Sequence, residues 1–364
     1  MPSKFKIDRC LLIVTIILII FGLLMVYSAS SIVAVYKYDD KYYFFKRQFI
    51  YAVISVVVMI LISTMNINKI YKVTPILFLI GIIFLILVLI PKIGLVRGGA
   101  RSWIGIGSLS FQPSEFIKLA MILFLARILS NYDKQIVKFK NFFLLLILIG
   151  AIFGLIMLQP DFGTGLVIVL CSVLLLFISG APFKYFLFLI ILGVALLLVL
   201  IISAPYRLER IFAFIDPWQD PLGSGFQAIQ SLYALAPSGL FGLGFNKSIQ
   251  KHFFLPEPQN DFIFAIVCEE LGLIGGAILL ILFLILILRM IIIGKKLENN
   301  YYKYLTYGVS LSFFVQIFIN IGVVIGLLPI TGITLPIISY GGTSLMMSLS
   351  LIAVVLNVSR YVDE

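Results

Sequence analysis

Long unbroken apolar runs constrain this chain more than any other feature. They fall at about Leu11–Ala29, Phe49–Met65, Thr74–Ile90, Glu115–Ser130, Phe142–Leu158, Gly165–Ser179, Tyr185–Ser203, Phe262–Ile293, Tyr304–Leu328 and Pro336–Val358. A helix crosses a bilayer with about 20 apolar residues. The runs therefore predict ten transmembrane helices and an all-α polytopic membrane protein. A transmembrane barrel is excluded, because its strands alternate apolar and polar residues. A soluble enzyme is excluded too: 62% of the 364 residues are hydrophobic, only 12% are charged, and the mean hydropathy is +1.17. Ser28-Ala29-Ser30 resembles a signal cleavage site. The run before it is long for a signal peptide, so it is expected to remain as an anchor.

The net charge of +11 comes from Lys and Arg scattered between the runs. That pattern reads as membrane topology and contact with anionic lipid, with no nucleic-acid partner. The basic residues favour the side that carries the N-terminus, which places it in the cytoplasm. An even number of spans puts the C-terminus there as well. The outer segments still hold Lys92, Arg97, Arg101, Arg207, Arg210, Lys247 and Lys251. These are either ordinary solvated charges or a cationic surface for an anionic substrate. Cys10, Cys171 and Cys268 lie in or beside apolar runs and are expected to pack without disulfides or metal.

The whole chain reads as one integral membrane domain, residues 1–364, with a long extracellular loop at 204–260 between the seventh and eighth helices. A loop of that length is uncommon unless functional. Its stretch Phe226–Leu235 suits a short amphipathic helix lying on the membrane. Asp261 follows Leu255-Pro256-Glu257-Pro258-Gln259-Asn260 at the start of the eighth run. It serves either as a helix cap or as a carboxylate that takes a proton at the membrane boundary. Glu269 and Glu270 lie roughly 12–13 Å further along that helix, where charges need a polar surround or a partner. Glu115 and Lys118 are three residues apart and share a helix face, so a mutual ion pair is the simplest reading. Asp161, after Gln159-Pro160, sits at a broken helix end as a cap or a site residue. Arg101 beside Trp103 is an interfacial anchor or an anion ligand. The single histidine, His252, belongs to no nucleophilic triad, and no His/Cys/carboxylate cluster predicts a tight metal site. No cofactor is required by the sequence; a divalent cation, Mg or Mn, held by carboxylates and a substrate diphosphate stays open.

Five motifs in order resemble the SEDS family (shape, elongation, division and sporulation). They are Gly99-Ala100-Arg101-Ser102-Trp103-Ile104; Gln112-Pro113-Ser114-Glu115-Phe116-Ile117-Lys118; Gln159-Pro160-Asp161-Phe162-Gly163-Thr164; Leu255 to Ala265 with Glu269-Glu270-Leu271-Gly272; and Gly332 to Gly342. The Asp216-Pro217-Trp218 and Pro256-Glu257-Pro258-Gln259 neighbourhoods resemble the FtsW/SpoVE branch more than RodA. The resemblance implies a peptidoglycan glycosyltransferase of the bacterial cytoplasmic membrane. It would polymerise lipid II, an undecaprenyl diphosphate-linked substrate, beside a class B penicillin-binding protein, for division or sporulation. On that resemblance Asp261 is the catalytic residue. Arg101, Trp103, Glu115, Lys118, Asp161, Arg207, Arg210 and Gln230 are counted as substrate-binding. Glu269, Glu270 and Ser339 are counted as structural polar groups within the membrane. The competing classes are a lipid II flippase, which intramembrane charges and glycine-broken helices would suit, and a non-catalytic scaffold of the division machinery.

Overall fold

The computed structural model describes residues 7–97, 99–106, 109–132, 135–202 and 214–362. The chain folds as an all-α polytopic membrane protein. Its first helices are α1 (Arg9–Tyr38), α2 (Tyr43–Thr64) and α3 (Ile67–Leu87). Next come α4 (Pro113–Asn131), α5 (Phe139–Met157), α6 (Phe162–Ile178) and α7 (Phe183–Ile202). A short α8 (Phe226–Leu235) precedes α9 (Ile263–Lys296), α10 (Asn300–Val324) and α11 (Gly342–Val358). Seven of these, α1, α2, α3, α5, α9, α10 and α11, are long and apolar enough to cross a membrane. Every predicted run meets one helix, and α8 has the bounds read from the sequence. Large side chains such as Ile13, Ile54, Leu79, Ile147, Ile190 and Leu284 stand exposed on the outer faces of the bundle. Water would penalise that surface, and hydrocarbon does not.

The centre of the bundle is α10 and α11. α10 packs against α4, α6, α9 and α11, and α11 packs closely on α2. Small residues permit this approach, as they do between membrane helices generally. α11 contributes Thr343, Ser348 and Ser350, and α10 contributes Gly308, Ser310 and Ser312, all buried. At one edge, Asp8 caps α1 through the Leu11 amide and pairs with Arg289 of α9 at 2.7 Å. Its own amide donates to Ser359 beyond α11. The two ends of the chain are thus tied to the same end of the bundle.

Three features depart from the sequence reading. First, residues 94–111 form a small antiparallel sheet, β1 (Gly94–Arg97), β2 (Ala100–Ile106) and β3 (Leu109–Phe111). Second, the last helix begins at Gly342 rather than Pro336, and the chain from Ile325 to Gly341 is irregular, exposed at Ile325–Leu327 and buried over Leu335–Ser339. Irregular backbone inside a membrane bundle survives only where protein groups satisfy it. Here Asn320 donates to the Ile333 carbonyl, Gln316 to Thr334 and Gln48 to Ser339. The Ser339 hydroxyl accepts from the Leu335 amide, and Gln48 accepts from Gly341. α1 presses onto this segment at Gly22, where a Cβ would stand 2.8 Å from the Ile337 carbonyl oxygen.

Third, α9 is broken at Gly272, which has φ +69° and ψ −168°. The break frees backbone groups, and the preceding loop takes them. Leu243 and Gly244 donate to the carbonyls of Glu269 and Glu270, and Leu273 and Ile274 donate to those of Gly239 and Leu240. The loop is therefore stitched into the helix. Only glycine fits there, because a Cβ at 272 would strike the Gly242 amide and the Leu240 carbonyl.

Candidate functional site

Three elements converge around Asp261. The Leu255–Phe262 stretch reaches it from the stitched loop, and the Ile325–Gly341 segment runs alongside. The Tyr340 amide donates to the Gln259 carbonyl at 2.9 Å. α10 supplies Asn320, whose amide donates to the Asp261 carbonyl and to that of Ile333, each at 2.7 Å.

The helix cap falls on Phe262, which makes no side-chain cap bond. The capping role left open for Asp261 is thus not taken, and its carboxylate is half-buried at the end of the loop. Burial pushes the Asp261 carboxyl up to about 6, and the neighbouring Glu257 charge adds to the rise. Charging a carboxyl out of water costs free energy, so it holds its proton longer. Asp161 is the opposite case. It caps α6 through the Thr164 amide and accepts from Gln112 and Ser114 at 3.2 and 3.0 Å.

A polar cavity of about 60 Å³ lies between α4, α6 and α10. It is lined by Glu115, Lys118, Asp161 and Gln316 together with Ile333 and Thr334. Lys118 and Glu115 pair at 2.9 Å, both almost wholly buried, and the Lys118 ammonium also donates to Gln316 at 2.9 Å. Two of its three ammonium protons are thereby committed. Near Asp261, the side-chain oxygens of Gln259, Asn260 and Asn320 are buried without a hydrogen-bond partner among the described residues. Buried oxygens of this kind cost free energy unless a ligand or water supplies a proton.

Glu269 and Glu270 face the loop instead of the cavity. Glu269 accepts from the Ser248 hydroxyl and from the Ile249 and Gln250 amides. Glu270 accepts from Ser28 of α1 at 2.6 Å, from the Asn246 and Ser248 amides, and from Lys251 at 3.1 Å. Lys251 is 1% exposed. It is neither the solvated charge nor the part of a cationic outer surface that the sequence left open: it is the buried counter-ion of Glu270.

Arg101 is on β2, opposite Val96, and Trp103 is opposite Leu95. Arg101 donates to the Leu89 carbonyl at 3.5 Å, and its Nε is buried without a partner. Neither residue lines the cavity beside Lys118. Gln230 is half-buried on α8, also away from that cavity. Ser339 braces the irregular segment, as described above. Arg207 and Arg210 lie outside the described residues. The sequence reading missed Gln316, Asn320, Gln48 and Asn246. The first two carried a signal: amides four residues apart in an apolar run share a face and must find partners there.

A family model for the FtsW/RodA/SpoVE cell cycle proteins matches residues 8–364. Stage V sporulation protein E of Bacillus subtilis (strain 168) is 49% identical over 360 residues, 99% of this chain and 98% of that protein. A protein of Coxiella burnetii named as a probable peptidoglycan glycosyltransferase FtsW is 43% identical over 360 residues, 98% of this chain and 97% of that one. Among solved structures, one similar chain comes from work on structural coordination of polymerization and crosslinking by a peptidoglycan synthase complex. It has a TM-score of 0.82 at 27% identity, covering 99% of this chain and 100% of that chain. The rod shape determining protein RodA of Thermus thermophilus has a TM-score of 0.74 at 24% identity over the full length of both, a likeness of fold.

Proposed function

This chain belongs to the FtsW/RodA/SpoVE family, on its FtsW/SpoVE branch, and on that premise we propose that it polymerises lipid II into glycan strands for division or sporulation. It is a peptidoglycan glycosyltransferase of the bacterial cytoplasmic membrane. The observation that carries the reading is the end-to-end identity with relatives named for this activity or for sporulation. The topology we assign has ten spans, both termini cytoplasmic and the 204–260 loop outside, in one domain. It is supported by the match of every apolar run to a helix and by the excess of basic residues on the N-terminal side.

The chemistry follows from the site. The acceptor sugar hydroxyl attacks the anomeric carbon of the donor, the bond from that carbon to the diphosphate oxygen breaks, and the diphosphate leaves with the electron pair. The hydroxyl proton goes to the Asp261 carboxylate, which is freed from capping and held in a partly desolvated place. Cations stabilise the leaving charge. Lys118 offers one, already oriented by Glu115 and Gln316, and Arg101 on β2 is a second candidate. Arg207 and Arg210 are retained as further candidates, with Trp103, Glu115, Asp161 and Gln230 as their neighbours in the substrate site. The described residues hold no group of three or more His, Cys, Asp or Glu that would cage a metal. A Mg or Mn ion would therefore rest mainly on the substrate diphosphate, with Asp261 the carboxylate at hand. The cross-linking partner is a class B penicillin-binding protein, supported by the similar chain from a synthase complex.

The test is purified protein with fluorescent lipid II in liposomes. Glycan polymer supports the proposal. Transfer of lipid II between leaflets without polymer makes the protein a flippase, and neither outcome makes it a scaffold.

A further inference from the structure

One side chain, Asn320, joins the two irregular segments that meet at the site. It is 1% exposed on α10, an apolar helix in the middle of the bundle. Burying an amide there costs free energy unless its protons find acceptors. Both protons do: one goes to the Asp261 carbonyl and the other to that of Ile333. Neither carbonyl lies in a helix, so neither has a ladder of its own. α9 starts at Ile263 after Phe262, whose side chain makes no cap bond, so no side-chain cap ties the first turn of the helix to the residues before it.

One turn earlier, Gln316 repeats the arrangement. Its Nε2 donates to the Thr334 carbonyl at 2.9 Å, and its Oε1 accepts from Lys118. Successive turns of α10 thus grip successive carbonyls of the irregular segment. A continuous chain runs from Glu115 through Lys118, Gln316, Thr334, Ile333 and Asn320 to the backbone of Asp261.

We propose that Asn320 is a positioning residue: its amide fixes the backbone of Asp261 against the Ile333–Thr334 strip, and Gln316 registers that strip on the Glu115–Lys118 pair. The proposal rests on the glycosyltransferase reading for its kinetic arm. A base must lie within hydrogen-bond reach of the acceptor hydroxyl. A displacement of about 1 Å costs on the order of a hundredfold in rate. Substrate binding, spread over other residues, is spared.

The test uses full-length protein with Asn320→Leu, which keeps the volume and removes both donors, and Asn320→His, which restores one ring N–H nearby. With labelled lipid II, Asn320→Leu should lower kcat per folded molecule by roughly 10- to 100-fold, with KM within about twofold. Asn320→His should recover part of the loss. A second arm needs no activity. In a background with Cys10, Cys171 and Cys268 replaced, Asp261→Cys is labelled with a water-soluble maleimide. Adding Asn320→Leu should speed labelling several-fold, because the peptide is no longer held. Unchanged kcat with unchanged labelling overturns the proposal. So does a raised KM at unchanged kcat, which would make Asn320 a substrate contact, or a kcat loss that merely follows the folded fraction. If wild-type protein makes no polymer, the functional reading falls, while the labelling arm still judges the tether.

Discussion

In the proposed mechanism Asp261 serves as base only when it is ionised, and its surroundings decide when that is. Burial and the Glu257 charge raise its carboxyl to about 6. Below that pH it is protonated and cannot accept the hydroxyl proton; above it the carboxylate is free. Polymerisation should therefore fall about tenfold per pH unit below 6 and level off above 7, as read from initial rates across pH 4.5–8. A flat profile through pH 5 would remove Asp261 as the base. Asp261→Asn keeps the shape and the backbone bond from Asn320, and no cap is lost because Phe262 holds that position. Its turnover should drop at least about 100-fold, with a melting temperature close to wild type. The residues alone left a cap open for both aspartates, against a base at Asp261 and a site residue at Asp161. Both aspartates follow a proline-bearing stretch and precede an apolar helix. What separates them is one amide hydrogen bond to Thr164, a matter of backbone angle that residue identity does not encode.

At the scale of elements, the helices were legible because apolar length is a strong signal, and the interruptions were not. Gly272-Leu273-Ile274-Gly275-Gly276 reads as one more stretch of apolar helix. The break forms because residues 239–244 arrive to pair with the freed backbone, a contact some 30 positions distant in sequence. Gly272→Ala puts a Cβ into that pairing at positive φ. It should cost about 1–3 kcal/mol or more, seen as a lower melting temperature in detergent, whereas Gly150→Ala, with open space at its Cβ, should be near neutral. The Glu115–Lys118 pair was legible from its three-residue spacing; its third member, Gln316, came from a helix about 200 residues away. Removing either charge strands the other in a low-dielectric interior at roughly 3–5 kcal/mol. Glu115→Ala and Lys118→Ala should each accumulate poorly, and the double variant should lose less than their sum. Strict additivity in thermal unfolding would contradict the coupling.

For the whole molecule, the central question is how a long loop is held closely enough to the bundle to position the proposed base. Apolar burial at Ile229, Ala234 and Leu255 does part of this, while Leu240, Phe241, Phe253 and Phe254 stand exposed. The rest of the fastening is polar. Glu269 and Glu270 on α9 face a row of loop amides, Ser28 joins from α1, and Lys251 closes the cluster at 3.1 Å from Glu270. The sequence showed these two glutamates as costly charges in need of partners, and placed Lys251 elsewhere. It could not pair them, because the pairing depends on the loop turning back beside the break at Gly272. Two carboxylates and one ammonium make this cluster sensitive to loss of the cation. Lys251→Met leaves Glu270 with neutral donors only, and local opening of residues 244–260 should become easier by about 3 kcal/mol, on the order of a hundredfold in the open population. Limited proteolysis of intact protein in nanodiscs reads that population when reclosure outpaces cleavage. Lys251→Met should therefore be clipped within this loop roughly a hundred times faster than wild type. The double variant Lys251→Met/Glu270→Gln, which removes both charges, should return much of the protection. Equal cleavage of wild type and Lys251→Met would mean that the backbone stitching at Gly272 alone holds the loop, and that the buried ion pair contributes nothing to where Asp261 sits.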